Sequence, residues 1–332
     1  MSTSQVEPHV QLEGSVDYPE LIKGLTERLN GTNGLPIPDY LGEQIQVGER
    51  QLNVRSTGPH DPAKRTAVYV HGLGGSATNW TDLMFLLAPI ANGYAPDLPG
   101  FGRSPFPVDR DYSLAAHTAT VIRFIEDNFD EPVDLFGNSM GGAISIRIAG
   151  SRPDLVRSLT LVSPAVPNLR PRLGSFQVML MSTPGVAEAM RFAFGAPSPE
   201  KVIERMQRVV YTKDFVEHPL RLETQIKDAS WRMKNFNVNE SLAGSARSLM
   251  RAYLPGHPEN TWKFAHEIKA PTLALFGTQD LLVDPRMAIP TARNIKGSRV
   301  ITLDTAHVAQ LERPVDVATH VLECWMEQSW TA

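Results

Sequence analysis

A serine between two glycines follows an apolar run in the stretch "DLFGNSMGGAIS". The frame Gly137-Asn138-Ser139-Met140-Gly141 lies between a predicted strand, "VDLF", and a predicted helix, "MGGAISIRIA". Glycines at both ends of such a turn remove Cβ atoms that would clash with the strand and the helix, so the serine can adopt a strained backbone conformation. That conformation projects the Oγ atom outward at the positive end of the helix dipole. The pattern therefore predicts that Ser139 is a nucleophile.

A serine hydroxyl attacks a substrate effectively only when a neighbouring base accepts its proton. The sequence has nine histidines, and position along the chain decides between them. His307 follows the predicted strand "RVITLD", in the loop "TAHVAQLERP", so we expect it at the same sheet edge as Ser139. His71, in "VHGLGG", is the rival, but we expect it to brace the adjacent glycine-rich loop through hydrogen bonds. We therefore predict that His307 is the base.

An imidazole base needs a carboxylate that fixes its tautomer and stabilises the imidazolium. Asp280 stands in "ALFGTQD", immediately after a predicted buried strand, and Asp284 is the alternative four residues later. The strand end after "LTLVS" carries no carboxylate, which favours Asp280. Asp97, in "DLPGFGRS", is interpreted as a side chain that organises its own loop. Asp280 is therefore the predicted acid.

Negative charge that develops on a substrate oxygen needs two backbone N–H groups aimed at it. One is predicted at Met140, the residue after the nucleophile. The other is predicted at Leu73, in the loop "HGLGG", whose glycines allow the backbone to come close to a substrate. These two amides would form an oxyanion hole.

Each of these candidates follows a short apolar run that is typical of a buried strand. Predicted strands alternate with helices before residue 164 and again after residue 258, which indicates an α/β fold. We expect a mostly parallel sheet of about eight strands covered by helices on both faces. The stretch "EQIQVGERQLNVRSTG" predicts a hairpin with Gly48 near its turn. Ligands bind beyond the carboxyl ends of the strands in such a sheet, so this fold would bring the candidate residues together.

The chain divides by sequence pattern into four predicted segments. Residues 1–38 form a polar N-terminal extension, interrupted by Pro and Gly. The first part of the α/β core spans 39–164, an inserted helical cap spans 165–258, and the second part of the core spans 259–332. The cap segment is too long for a plain loop. Its Met and aromatic side chains either pack among themselves or line an adaptable apolar pocket.

Charge and composition limit the partners and the compartment. The 332 residues carry a net charge of −4 with no run of basic side chains, so a nucleic-acid partner is not supported. The N-terminus lacks the pattern of a signal peptide, and no stretch of about twenty apolar residues occurs. We therefore expect a cytoplasmic protein without a transmembrane segment. Cys324 stands alone and cannot form an internal disulfide. No motif predicts a metal ion or a cofactor, and the oligomeric state stays open.

The motifs "VHGLGG", "DLPGFGRS", "GNSMGG", "GTQD" and "AHVAQLERP" together resemble the α/β-hydrolase superfamily, over nearly the whole chain after the extension. The chain order Ser139, Asp280, His307 is the order that this superfamily uses. The resemblance implies a hydrolase that cleaves carboxylic esters of hydrophobic or lipid-like small molecules through an acyl-enzyme on Ser139. Epoxide hydrolases and haloalkane dehalogenases of the superfamily carry aspartate at the nucleophile position, so the serine argues against both.

Two other functions stay open. The motif "GNSMGG" is similar to that of meta-cleavage-product hydrolases, which cleave a carbon–carbon bond, and "VYTKDFVEHPLRLE" is loosely similar to their cap. That similarity places Arg221 where those enzymes have a substrate-binding arginine, although a solvated or ion-paired helix residue is the other interpretation. Those enzymes usually carry tryptophan after the histidine, where this chain has Val308. The remaining alternative is a non-catalytic, ligand-binding member of the fold.

Overall fold

The structure of the protein is a computed structural model. It describes residues 40–168, 198–217, 219–235 and 238–327, together with a few residues between 20 and 27. Most of the predicted N-terminal extension (1–38) therefore lies outside the described residues. The same holds for much of the first third of the predicted cap, whose placement the structure does not describe.

One sheet of eight strands organises the described part of the chain. The strands are β1 Gly42–Val47, β2 Arg50–Ser56, β3 Arg65–Val70, β4 Ala91–Pro96, β5 Val133–Asn138, β6 Val156–Val162, β7 Thr272–Gly277 and β8 Arg299–Leu303. Their order across the sheet is β1-β2-β4-β3-β5-β6-β7-β8, and β2 is the one strand of this sheet that runs in the opposite direction to the others. The predicted hairpin is β1–β2, with Gly48 at φ 56° in its turn. This mostly parallel sheet confirms the predicted fold class.

Helices connect the strands and cover the sheet. In the described residues they are α1 Thr81–Leu87, α2 Leu114–Asn128, α3 Met140–Ser151, α4 Pro199–Val210, α5 Pro219–Asn235, α6 Val238–Ala252, α7 Thr261–Ala265, α8 Ala288–Asn294, α9 Ala309–Glu312 and α10 Pro314–Met326. Local sequence sets their limits. The Ser113 side chain accepts the Ala116 N–H at the start of α2, and Pro153 follows the end of α3. Both boundaries therefore depend on residues next to them in the chain.

The side chains of the central strands alternate between two buried layers. In β3, Val68 and Val70 pack against the core that includes α2 and α3. Ala67 and Tyr69 pack on the opposite face, against the core that includes α1 and α10. All four residues are fully buried. Because helices cover both faces, a central strand such as β3 buries apolar side chains on both of its sides.

Helices α4, α5 and α6 lie between β6 and β7 in the chain, where the sequence predicts the cap. Hydrogen bonds join this unit to the core. The Ser248 hydroxyl accepts the Leu114 N–H at 2.9 Å, and the Ser245 hydroxyl lies 2.9 Å from His117 Nε2. These contacts fix α6 against the start of α2. None of the helices in the described ranges has both the length and the apolarity that crossing a bilayer requires.

Candidate active site

Ser139 stands between the end of β5 and the start of α3, at the carboxyl edge of the sheet. Its backbone has φ 54° and ψ −118°, a conformation that L-residues other than glycine rarely adopt. Its N–H donates to the carbonyl of Val162 at 3.1 Å, and its own carbonyl accepts the Ala165 N–H at 2.8 Å. The surrounding strands therefore hold the serine in a strained turn, which is the geometry the sequence motif predicts.

The glycines of the motif provide the space for this turn. A Cβ atom at Gly141 would lie 2.1 Å from the carbonyl oxygen of Val70, on the neighbouring strand. A Cβ atom at Gly137 would lie 2.5 Å from the carbonyl oxygen of Gly141. Both distances are too short for real Cβ contacts, so α3 can approach the sheet at this angle only with glycine at these positions.

His307 and Asp280 form a buried pair at the ends of β8 and β7. His307 Nδ1 lies 2.8 Å from Asp280 Oδ2, and both side chains are almost completely buried. The other oxygen of Asp280 accepts the N–H groups of Leu282 at 2.7 Å and Val283 at 2.9 Å. Because an ionised carboxylate only accepts hydrogen bonds, Nδ1 is the donor, and the lone pair of a neutral ring lies on Nε2.

The protonation of Asp280 follows from its surroundings. Burial by itself would raise the pKa of this carboxyl, but the interaction with His307 and the two backbone N–H groups outweighs it. The pKa of Asp280 is therefore held below its ordinary value, and the carboxylate is charged at neutral pH. A buried negative charge at this point stabilises a positive charge on the adjacent imidazole.

The side chain of Asn138 links the serine turn to the histidine loop. Its Nδ2 donates to the carbonyl of His307 at 3.1 Å and to the carbonyl of Val162 at 3.0 Å. Asn138 directly precedes Ser139, so this amide fixes the spacing between the two loops. The backbone of His307 is thus held by the residue next to the candidate nucleophile.

The glycine-rich loop after β3 lies against the serine. A Cβ atom at Gly72 would be 3.0 Å from the Cβ of Ser139, which shows how closely the loop passes. The Gly75 N–H closes a turn onto the Gly72 carbonyl at 3.1 Å, and Gly74 has φ 75°. Leu73 lies within this turn. Met140 is buried at the first position of α3, where a backbone N–H has no partner within its own helix.

A cavity of about 180 Å³ opens beside Ser139, Leu73 and His307. Its walls are mostly apolar and come from both core and cap: Ile203, Met206, Val210, Leu249, Val308 and Leu311. In the described part of the chain, no three His, Cys, Asp or Glu side chains cluster as metal ligands. The site therefore combines a strained serine, a buried histidine–aspartate pair and an apolar cavity.

Comparison with known protein families assigns the chain that carries this site. The family model of the alpha/beta hydrolase fold matches residues 68–314, which is well over half of the chain. The chain belongs to this family. The match spans the strained serine, the histidine–aspartate pair and the cap helices alike.

The relatives of this α/β-hydrolase include an esterase and a lipase. Over 246 residues it is 27% identical to the pimeloyl-(acyl-carrier protein) methyl ester esterase of Neisseria meningitidis serogroup C, across 74% of this chain and 86% of the relative. It is 27% identical over 251 residues to Lipase 1 of Psychrobacter immobilis, across 73% of this chain and 71% of the relative. The 2-hydroxy-6-oxo-6-phenylhexa-2,4-dienoate hydrolase of Rhodococcus sp. RHA1 has a TM-score of 0.69 at 20% identity, covering 85% of this chain and 97% of that one. The last likeness shows the fold alone.

Two polar residues near the hydrolase site brace its loops, as the sequence predicts. His71 Nε2 accepts the Leu98 N–H at 3.0 Å, and Nδ1 lies 2.8 Å from the Gly72 carbonyl. Burial lowers the pKa of His71, so the ring stays neutral. The carboxylate of Asp97 accepts the N–H groups of Ala77 and Arg103, at 2.7 and 2.8 Å. Both side chains therefore hold the glycine-rich loops in place.

Asp284, the alternative acid, lies in a different environment from Asp280. Its carboxylate pairs with the guanidinium of Arg286 at 2.5 Å and accepts the Arg286 N–H at 3.0 Å. It also begins the short helical turn that starts at Pro285. The carboxylate that contacts His307 is that of Asp280.

Arg221 lies in α5 and pairs with Asp82 of α1. Its two terminal nitrogens bind the two carboxylate oxygens at 2.9 and 2.7 Å. It does not line the cavity beside Ser139. The structure thus gives Arg221 a contact between cap and core, and a role in substrate binding stays a prediction.

Three residues that line or brace the site were absent from the sequence prediction: Asn138, Arg232 and Glu312, whose carboxylate accepts the Ala306 N–H at 2.8 Å. Asn138 stands inside the serine motif, and Glu312 stands five residues after the histidine in "AHVAQLERP", so their positions were a usable signal. Arg232 lies in α5 and lines the cavity. Nothing in its sequence neighbourhood distinguishes it from the other arginines of the cap.

Proposed function

We propose that this protein is a serine hydrolase that cleaves carboxylic esters of hydrophobic small molecules through an acyl-enzyme on Ser139. One observation carries the proposal: His307 Nδ1 lies 2.8 Å from the charged carboxylate of Asp280. The carbonyl of the same histidine accepts a hydrogen bond from Asn138, the residue before the strained Ser139. A histidine held in this way presents Nε2 as a base, and the same cavity borders both Ser139 and His307.

Acylation begins when the Oγ of Ser139 attacks the ester carbonyl carbon. His307 Nε2 takes the hydroxyl proton, and Asp280 stabilises the imidazolium that forms. The tetrahedral intermediate then collapses, the bond from carbon to the alcohol oxygen breaks, and the imidazolium protonates the departing alcohol. The acyl group remains on Ser139 as an ester.

The negative charge of the tetrahedral intermediate lies on the former carbonyl oxygen. We assign its stabilisation to the backbone N–H groups of Leu73 and Met140, the first from the loop beside Ser139 and the second from the start of α3. Removal of a single donor of this kind costs roughly 10²- to 10³-fold in kcat. The N-terminal end of α3 adds a favourable partial charge.

Deacylation repeats the sequence with water as the nucleophile. His307 Nε2 removes a proton from the water, whose oxygen attacks the acyl carbon. The second tetrahedral intermediate releases the carboxylic acid, and Ser139 recovers its proton from the imidazolium. The balance is one ester and one water consumed, one acid and one alcohol formed.

The cavity walls support a hydrophobic substrate. Cap side chains such as Met206 and Val210 face core side chains such as Val308 and Leu311 across the space beside Ser139. An apolar acyl or alcohol group buried there gains roughly 25 cal/mol for each Å² removed from water. The esterase and lipase among the relatives support the same class of substrate.

The test compares Ser139→Ala with Ser151→Ala. Ser151 is an exposed serine at the last position of the same helix, and its hydroxyl donates to the carbonyl of Arg147 at 2.6 Å. Hydrolysis of p-nitrophenyl butyrate and octanoate should vanish in the first variant and persist in the second. A fluorophosphonate probe should label the wild type at Ser139, with labelling lost only in Ser139→Ala. Unchanged ester hydrolysis by Ser139→Ala would refute the mechanism. Absence of both labelling and turnover in the wild type would indicate a ligand-binding member of the fold.

The second candidate function is carbon–carbon bond hydrolysis, which the motif "GNSMGG" favours. Position 308 argues against it, because Val308 lines the cavity where the meta-cleavage-product hydrolases usually carry tryptophan. A coloured meta-cleavage dienoate, assayed beside the esters, separates the two functions. Fast bleaching of the dienoate with negligible ester turnover would replace the first proposal with the second.

A further inference from the structure

Arg232 is a partly buried cation in the wall of the cavity that also borders Ser139 and His307. It lies in α5, within the cap, and its Nη1 makes a long contact of 3.4 Å with the carbonyl of Gly74, in the loop beside Ser139. An arginine stays protonated in proteins, so the wall of this mostly apolar cavity carries a positive charge, beside the carboxylate of Asp228. Burial lowers the pKa of the Arg232 guanidinium, which indicates that water solvates this charge poorly.

No carboxylate of the described residues forms an ion pair with Arg232. The two nearest acids raise its pKa through space but are bonded to other groups. Asp228 pairs with Arg103 at 2.7 Å. Asp97 accepts N–H groups from Asn53, Ala77 and Arg103. Apart from the long contact of Nη1 with Gly74, the donors of the Arg232 guanidinium are therefore available to a group that enters the cavity.

Further charged side chains lie near Arg232. A narrow cleft adjoins the main cavity and shares Ser76, Asp228 and Arg232 with it. Arg55 and Arg103 also border this cleft, as does Asp97. An anion that reaches this point would meet the guanidinium of Arg232, which has no carboxylate partner among the described residues.

We propose that the substrate of this hydrolase carries a carboxylate that Arg232 binds, so that the preferred esters are amphiphilic, with an apolar chain and an acidic group on the same molecule. The proposal rests on the ester hydrolysis proposed above and specifies its substrate class. The planar guanidinium matches a carboxylate in a bidentate arrangement, and such charge-assisted hydrogen bonds are about twice as strong as neutral ones. The apolar walls hold the chain while Arg232 fixes its acidic group.

The experiment uses two pairs of esters that differ only in charge. In the first pair the acyl chain ends in a carboxylate or in a methyl ester of that carboxylate, with p-nitrophenol as the alcohol. In the second pair the carboxylate or its methyl ester lies on the alcohol, as in octanoyl esters of 4-hydroxybenzoate and methyl 4-hydroxybenzoate. The measured quantity is the ratio of kcat/KM for the charged ester to that for the neutral one. A ratio cancels differences in the folded fraction between preparations.

The ratio is compared in the wild type, Arg232→Met, Arg232→Lys and Arg205→Met. For at least one pair we expect the ratio to fall roughly 10-fold or more in Arg232→Met, the size of one lost charge-assisted contact, with partial recovery in Arg232→Lys. Arg205 is an exposed arginine of α4, so its replacement controls for the general field of the cap. Its ratio should match the wild type.

The possible failures are distinguishable. Suppose that the wild type hydrolyses the neutral esters but that both ratios in Arg232→Met stay within about 2-fold of the wild-type ratios. The proposal that Arg232 binds a substrate carboxylate is then wrong, and the proposal of ester hydrolysis stands. An equal fall in Arg205→Met would also overturn it, because the effect would then be nonspecific. If the wild type hydrolyses no ester of either pair, both the function and the substrate class are wrong.

Discussion

The backbone N–H of His307 donates a 3.0 Å hydrogen bond to the carbonyl of Val210, the last residue of α4 in the cap. Glu312 reinforces the same junction: one carboxylate oxygen accepts the Ala306 N–H at 2.8 Å, and the other accepts the Thr212 N–H at 3.1 Å. The candidate base is therefore held by the cap as well as by the core. A displacement of α4 would move the backbone of His307.

Glu312→Gln tests this junction. The amide keeps one acceptor oxygen but turns an NH₂ group toward the second backbone N–H, so the loop of His307 should shift. We expect kcat to fall roughly 10- to 100-fold, because small misplacements of a catalytic group have effects of this size. The rate is measured per serine titrated by fluorophosphonate, which separates positioning from loss of folded protein. Glu323→Gln, in α10, is the matched control, and an unchanged rate per titrated serine in Glu312→Gln would contradict the coupling.

Asp280→Asn should lower kcat for p-nitrophenyl esters by roughly 10³- to 10⁴-fold, because a neutral amide neither fixes the tautomer of His307 nor stabilises its imidazolium. Asp284→Asn removes a buried carboxylate four residues away that pairs with Arg286 instead. That control should stay within a few-fold of the wild type. Steady-state kinetics on both variants checks the assignment, and the reverse order of effects would make Asp284 the acid.

The buried side chain of His117 should make the free energy of unfolding depend on pH. Burial, with a smaller contribution from His71, lowers the pKa of His117 from its ordinary 6.5 to about 3. Between these values the unfolded chain binds a proton that the folded protein does not, so the stability present above pH 6.5 is lost as the pH falls. The slope from this residue is at most about 1.4 kcal/mol per pH unit. Urea unfolding at several pH values should show a shallower slope for His117→Gln, while the exposed-site variant His266→Gln should follow the wild type.

A double-mutant cycle can measure the interaction between Arg221 and Asp82. Their side chains are only 14% and 13% exposed, and they make two hydrogen bonds between cap and core. If this pair only joins the two parts, Arg221→Met and Asp82→Asn should each destabilise the fold, with a coupling energy of roughly 1–3 kcal/mol. KM would then change equally in both variants. A raised KM in Arg221→Met alone would show that Arg221 binds substrate.

Local sequence signals predicted much of the fold. The hairpin at Gly48 and the strand–turn–helix at Ser139 each depend on residues close together in the chain, where turn preferences act. The same signals placed His307 and Asp280 at strand ends. Their contact was an expectation from the rule that strand ends meet at one edge of a parallel sheet.

Arg221 and Arg232 show what such signals cannot supply. Both belong to α5, and an amphipathic pattern says only that a helix has a polar side. Whether an arginine on that side meets Asp82 or enters a cavity depends on how the cap is placed on the core, a relation between residues far apart in sequence.

The sequence by itself determined the mostly parallel fold and the candidate chemical groups, because strand periodicity, glycine turns and strand-end positions are local properties. The tertiary structure decided which groups meet. It paired Asp280 rather than Asp284 with His307, tied the His307 loop to Val210 and Glu312, and left Arg232 without an ion pair among the described residues. These outcomes depend on distances across the packed core and cap, which are fixed only when the whole chain buries its apolar surface.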